Sequence, residues 1–335
     1  MRLADKLAVG YAYGSSLLAF MVDGPPRPFS ATFAVTNRCN LRCEYCNCPY
    51  IDPTNLDLTQ IEILFERLRD MGIRRLGLAG GEPMLRSDLP AIIALAKRQR
   101  FFVTVNSNLT LFHRHPERLA DADLVYTSLD GDSAAHVAAR GDRSHDGVLD
   151  AIVQLVGRGK PVIGICVVTE HSIGQVDFLL RQAETLGIRM HFQPQCVDTD
   201  VVRGDVSPSL SNEQLRAFWR RLLAEKRKGR PLVSSTPYLE FLSEWDDFSI
   251  SAYHDPGTRC PAGHGYLYVD PQGNAYSCAY TKGKMTPVNL LANDWRTAWD
   301  GHNPCTRCTV GPMLEFNMLF KRPFAAALEG LHSYG

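Results

Sequence analysis

Between residues 29 and 193 the chain alternates short apolar runs with amphipathic stretches, and it does so six times. The pattern predicts strands over residues 29–35, 76–79, 101–105, 124–128, 162–168 and 189–193. Helices are predicted over 59–71, 89–98, 117–121, 148–156 and 175–187, with a loop directly after the fourth strand. Thr59-Gln60-Ile61-Glu62 and Ser172-Ile173-Gly174-Gln175 read as capping boxes, and Gly72 and Gly187 as helix stops. Strands alternating with helices demand parallel pairing and right-handed crossovers. Eight such units close a barrel of about 250 residues. Six predict an α/β fold built on an open, partial (β/α)6 TIM-like barrel, with a doubly wound sheet as the alternative. In either architecture ligands sit at the C-terminal ends of the strands.

The most specific motif lies at the first of those strand ends. Cys39, Cys43 and Cys46 form a C-x3-C-x2-C run immediately after residues 29–35. A [4Fe–4S] cluster has four irons and normally takes four thiolates. Three thiolates on one short loop leave one iron open, and an open position on a metal is where chemistry takes place. Zinc is the other candidate, but zinc pairs usually read C-x2-C or C-x4-C with a distant second pair. Composition adds exclusions. The 335 residues carry 36 basic and 36 acidic side chains, so nothing global argues for a nucleic-acid partner. Of the ten cysteines, four crowd between Cys39 and Cys48, too close for a disulfide framework. Clustered thiols without a secretory signal read as metal ligands in a reducing compartment, hence a cytoplasmic protein. Cys166 and Cys196 lie on apolar segments and read as core residues, and Cys48 as a bystander to the motif.

The run, with the aromatic Tyr45 before its last cysteine, resembles the signature of the radical S-adenosylmethionine (radical SAM) superfamily. Gly80-Gly81-Glu82-Pro83, Asn106-Ser107-Asn108, Ser128-Leu129-Asp130-Gly131 and the segment from His136 to Gly141 resemble further landmarks of that family, in its order. The resemblance implies an enzyme that cleaves S-adenosylmethionine reductively and abstracts hydrogen from a substrate. It implies that Cys39, Cys43 and Cys46 hold the reactive cluster and that the cofactor is bound by Tyr45, Gly80, Gly81, Glu82, Pro83, Asn106, Ser128 and Arg140. In that reading Tyr45 lies against adenine, the two glycines let backbone approach the cofactor, Glu82 accepts from its ammonium, and Arg140 pairs with its carboxylate. Each also has a plainer reading: a turn residue at Glu82, strand-end caps at Asn106 and Ser128, a surface arginine at Arg140.

Cys260 and Cys278 flank a predicted β-hairpin over residues 266–277 that turns at Asp270-Pro271-Gln272-Gly273-Asn274, and Cys305 and Cys308 form a C-x2-C pair. Taken alone, these four thiols suit structural zinc, which leaves a zinc-stabilised scaffold as the non-enzymatic reading. Beside the first motif they resemble the twitch and SPASM domains of radical SAM enzymes, a small α+β domain with an auxiliary cluster. Four cysteines rather than seven imply one auxiliary cluster, hence two clusters in all, and the count most resembles twitch-type alcohol dehydrogenases. No catalytic base is evident; Asp270 and Tyr280 are candidates by position. The domain plan is then an N-terminal helix and linker over 1–28, a core over 29–200, a helical linker over 201–255, a cluster domain over 256–312 and a tail over 313–335. Residues 198–208 form a polar loop, and Ser211-Asn212-Glu213-Gln214 caps a basic helix through residue 228. The apolar segment over residues 8–22 reads as a helix docked on the core, with a membrane-surface helix as the alternative. Substrate candidates are a small hydroxylated metabolite, a ribosomal peptide and a lipid. The lack of a visible peptide-recognition domain counts against the peptide, and a flavodoxin or ferredoxin would supply electrons.

Overall fold

The computed structural model describes residues 3–141, 145–197, 209–254 and 259–322. The predicted polar loop over 198–208 and the end of the tail, 323–335, lie outside the described residues. The elements in chain order are α1 (Leu3–Met21), β1 (Ser30–Thr36), α2 (Leu58–Asp70), β2 (Arg75–Gly80), α3 (Leu89–Arg98), β3 (Phe102–Ser107), β4 (Leu124–Ser128), α4 (Ser133–Arg140), α5 (His145–Gly157), β5 (Val162–Val168), α6 (Val176–Leu186) and β6 (Arg189–Pro194). There follow α7 (Asn212–Arg227), α8 (Thr236–Ser243), β7 (Ala252–Tyr253), β8 (Tyr266–Val269), β9 (Asn274–Tyr276), β10 (Val288–Asn289), α9 (Trp295–Ala298), β11 (Arg307–Cys308) and α10 (Gly311–Lys321). All six strands of the repeating pattern are present, and the fold is α/β, mostly parallel and not closed.

Contacts divide the chain into two compact units. The first comprises Met1–Asn40, Asn47–Val125 and Cys260–Pro304. Within it β1 pairs in parallel with β2, Ala31 opposite Leu76, and β2 with β3, Leu76 opposite Val103. Strands buried on both faces read as continuous apolar runs, and β1 is buried at all but one position. α2 covers this sheet with Ile61, Leu64, Phe65 and Leu68, and Phe65 meets Phe33 and Phe101 edge-on. Its cap lies two residues before the predicted box. The Asp57 carboxylate accepts from Gln60 N at 2.8 Å, and the Gln60 side chain accepts from Asp57 N at 3.1 Å. An ionised cap at a helix N-terminus outcompetes the Thr59 hydroxyl. The C-terminal hairpin joins the same sheet: β8 runs parallel to β1, Ala31 opposite Leu267, and β9 and β10 continue it antiparallel.

The second unit comprises Leu41–Cys46, Tyr126–Arg259 and Cys305–Gly335, the division falling inside β4. β5 and β6 pair in parallel, Cys166 opposite Phe192. Ser172 does not cap α6. Its hydroxyl donates to the Val167 carbonyl at 2.7 Å and accepts from Thr169 N at 2.9 Å, closing a turn of its own. The Ser211–Gln214 box does cap α7 as predicted. An unpredicted helix, α4, fills part of the expected loop. The Asp132 side chain caps it by accepting from Ala135 N at 2.9 Å, and Gly141 ends it at φ 67°. Phe192, Phe218, Trp219 and Tyr238 pack edge to edge beneath α7 and α8, and the Tyr238 hydroxyl donates to the Phe192 carbonyl. β7 and β11 form a separate two-stranded antiparallel ladder that contains Cys308.

Candidate functional site

The loop that carries the three cysteines leaves β1 in a fixed direction. Thr36 Oγ1 accepts from Arg38 N, and Asn37 donates to the Asp52 carbonyl at 2.7 Å. Gly81 N donates to the Thr36 carbonyl at 2.7 Å and Glu82 N to the Arg38 carbonyl at 2.8 Å, so the ends of β1 and β2 are stitched together. Gly80 sits at φ 127°, and a Cβ there would overlap the Thr36 carbonyl; one at Gly81 would overlap those of Asn37 and Arg38. The two glycines therefore serve the approach of two backbones within the protein, a different requirement from the cofactor approach expected of them.

Glu82 is buried at the start of the 3₁₀ turn Pro83–Leu85, whose first position is the buried Pro83. Its Oε1 accepts from Met84 N at 2.9 Å and the Ser107 hydroxyl at 2.8 Å, and its Oε2 accepts from Asn108 N at 2.7 Å. Burial pushes its pKa up to about 7, against the pull of these donors. Asn108 reaches on to the Asn40 side chain at 3.0 Å, next to Cys39. The residues of the Asn106-Ser107-Asn108 segment that hold the carboxylate are thus Ser107 and Asn108. Asn106 is exposed at the end of β3. Strand alternation carried the missed signal, since Ser107 and not Asn106 faces inward.

A second group lies within the other unit. Arg140, in the last turn of α4, donates from Nε to Asp130 Oδ2 at 2.5 Å, and one terminal nitrogen stands 3.8 Å from Cys43 Sγ. Its guanidinium carbon is 5.8 Å from the centre of the Tyr45 ring. Asp130 is fully buried and also accepts from Val167 N at 3.0 Å, which ties the pair to β5. Burial opposes the Arg140 charge, but Asp130, Tyr45 and Cys43 overcome it and hold the guanidinium pKa above its ordinary value. Burial raises the Cys43 thiol, while Arg140 works to lower it. Burial likewise raises Tyr45, whose buried hydroxyl has no hydrogen-bond partner. Cys43, Tyr45 and Arg140 therefore meet. Asp130 is the residue that sequence reasoning passed over, although it stands inside a quoted segment. Ser128 is half-buried at the end of β4 and takes no part in this group.

None of the ten cysteines is joined in a disulfide. Among the described residues, no three cysteine, histidine or carboxylate side chains are gathered as ligands of a single metal ion. The donor chemistry nevertheless fits an iron–sulfur cluster, whose thiolates each bind a different iron. The Glu82 carboxylate, buried without a cation among its three donors, fits a polar group carrying an ammonium. Cys48 donates to the Gly80 carbonyl at 3.8 Å, and Cys166 is wholly buried. In the first unit Cys278 is buried just past β9 and Cys260 is half-buried before β8; in the second, Cys308 is buried in β11 and Cys305 is half-buried. Asp270 accepts from Gln272 N, Asn274 N and the Asn274 and Tyr276 side chains, which makes it the organiser of the hairpin turn. Tyr280 is buried with Lys284 Nζ 3.8 Å above its ring.

The fold and the site together define an open (β/α) enzyme with a three-thiol loop beyond its first strand. Residues 33–183 match the family model described as the Radical SAM superfamily. Mycofactocin maturase MftC of Mycolicibacterium smegmatis is 27% identical over 286 residues, which cover 81% of this chain and 69% of that protein. The PqqA peptide cyclase of Streptomyces rochei is 30% identical over 167 residues, 48% of this chain and 46% of the cyclase. Among solved structures, SuiB of Streptococcus suis bound to S-adenosylmethionine has a TM-score of 0.67 at 18% identity, covering 82% of this chain and 66% of SuiB. AnSMEcpe with bound AdoMet has a TM-score of 0.63 at 14% identity, covering 91% of this chain and 99% of that one. Residues 33–183 thus carry a radical SAM domain, and the relatives and the fold together support a radical SAM enzyme. That family carries a [4Fe–4S] cluster and S-adenosylmethionine. No described helix is long and apolar enough to cross a membrane.

Proposed function

We propose that this enzyme modifies a peptide, with Cys39, Cys43 and Cys46 holding the reactive cluster. The observation that carries the reading is the match along most of the chain to a mycofactocin maturase, joined by a match to a peptide cyclase over 48% of it. It reverses the weighting taken from the sequence, where the lack of a visible recognition domain counted against a peptide. When bound, the cluster and S-adenosylmethionine together supply a 5′-deoxyadenosyl radical that removes hydrogen from an unactivated C–H bond.

The chain's own groups bind and orient. Arg140, neutralised by Asp130 and tied to β5, sets positive charge beside Cys43 and Tyr45, where the cofactor carboxylate would lie. Glu82 offers a buried carboxylate to the cofactor ammonium, a charge-assisted contact. Cys260, Cys278, Cys305 and Cys308 would hold an auxiliary cluster, which would supply a route for substrate electrons, and a flavodoxin or ferredoxin would be the electron donor. The test is release of 5′-deoxyadenosine by the anaerobically reconstituted enzyme, given a low-molecular-weight extract of its host. A peptide substrate predicts stimulation by the extract that protease treatment abolishes. Stimulation that survives protease, or that partitions into a lipid extract, overturns the reading.

A further inference from the structure

α1 is set on the first unit with large apolar side chains on both its inner and its outer face. Its buried side carries Ser16, wholly inaccessible and with its hydroxyl unpaired, and Ala19, while Tyr13 and Phe20 pack edge-on against Phe29 and His264. Its outer side carries Leu7, Tyr11, Leu18 and Met21, exposed at 66%, 81%, 63% and 69%. No charged residue occurs between residues 7 and 22. Such a helix leaves four large apolar side chains in water, where a surface helix ordinarily presents polar ones.

Two glycines complete the outer face. Gly10 and Gly14 are spaced i, i+4 and stand one turn apart between Leu7 and Leu18. Glycine is among the poorest helix formers, and neither position needs it within this chain: both are helical, and a Cβ at either would meet nothing within 4 Å. Small residues at this spacing let another helix backbone approach closely. The face is also its own complement. Reflected about Gly14, Leu7 falls on Met21 and Gly10 on Leu18, so an antiparallel second copy would seat each Leu18 in the hole above a Gly10. A two-fold interface requires such self-complementarity. A lipid surface would instead favour lysines and arginines along the helix, and α1 has none between residues 7 and 22.

We propose that α1 joins two copies of this chain in an antiparallel pair crossing at Gly14, through Leu7, Gly10, Tyr11, Leu18 and Met21. Sedimentation of the full-length enzyme at micromolar concentration should show a dimer. Leu7→Lys and Met21→Glu should each weaken it on the order of tenfold or more. The double variant should restore it, because each new lysine then faces a glutamate of the second copy; a parallel pair would set lysine against lysine and show no rescue. Gly14→Leu should also weaken the dimer while leaving the circular-dichroism spectrum and melting temperature of the chain intact, since its side chain enters open space. A monomeric wild type overturns the proposal, whether it stays free or binds neutral phosphatidylcholine vesicles. So does a dimer indifferent to Gly14→Leu, or a double variant no better than the single ones.

Discussion

Glu82 places a buried carboxylate on three protein hydrogen bonds, and the balance between those bonds and burial sets its titration. Its folded pKa of about 7 lies above the value of 4.5 for a free glutamate. A carboxyl shifted upward favours the folded state while it is protonated, so that stability is complete below about pH 4.5 and is lost as pH rises through 7. Melting temperature should therefore fall over that window by the equivalent of at most about 3 kcal/mol. Glu82→Gln should flatten the dependence, and an unchanged slope would remove Glu82 as its source. The same variant should weaken S-adenosylmethionine binding by about 1–3 kcal/mol in a titration. Arg140 is the opposite case, a buried cation paired with the carboxylate of Asp130. Asp130→Asn should cost about 3–5 kcal/mol in denaturant unfolding, the usual penalty for stranding one member of a buried pair. Both positions stood inside motifs visible in the sequence. What the motifs did not reveal is that Ser107 and Val167 N, 25 and 37 residues away from their partners, complete the two sites.

Elements position these groups more than loops do. α4 is short and built largely of alanine, with a histidine and an arginine, which is why it reads as loop: its apolar side chains are too small to show a period. Its ends are nonetheless well defined by the Asp132 cap and the left-handed Gly141. The cap orients the helix whose last residue faces Cys43, so Asp132→Ala should cost about 1 kcal/mol of stability by chemical denaturation. The junction of β1 and β2 is less tolerant. Gly81→Ala drives a methyl group into two carbonyl oxygens at the root of the cysteine loop. Iron content after anaerobic reconstitution should drop for this variant by the share of the reactive cluster, whereas an alanine at Gly174, where a Cβ meets nothing within 4 Å, should leave it unchanged.

For the whole molecule, two cysteine groups predict two separable inventories. The reconstituted enzyme should hold about eight irons per chain. Replacing Cys39, Cys43 and Cys46 with alanine should leave about four and abolish 5′-deoxyadenosine release; release that persists would sink the assignment. Replacing Cys305 and Cys308 should leave cofactor cleavage but no modified product, and full product formation would return those thiols to structural zinc. The sequence by itself determined the six alternating strands with most of their helices, the place of the thiol loop just past the first of them, and the donor set of that loop. Those features are local: they follow from apolar period, side-chain chemistry and spacing within one turn or loop. Only the tertiary structure decided that the hairpin at residues 266–276 pairs with β1, that Asp130 neutralises Arg140, that Ser107 rather than Asn106 supports Glu82, and that α1 leaves Leu7, Tyr11, Leu18 and Met21 exposed. Each of these is a choice among pairings distant in the chain, made by strand register and by the need to satisfy buried polar groups, and no period within a single segment records it.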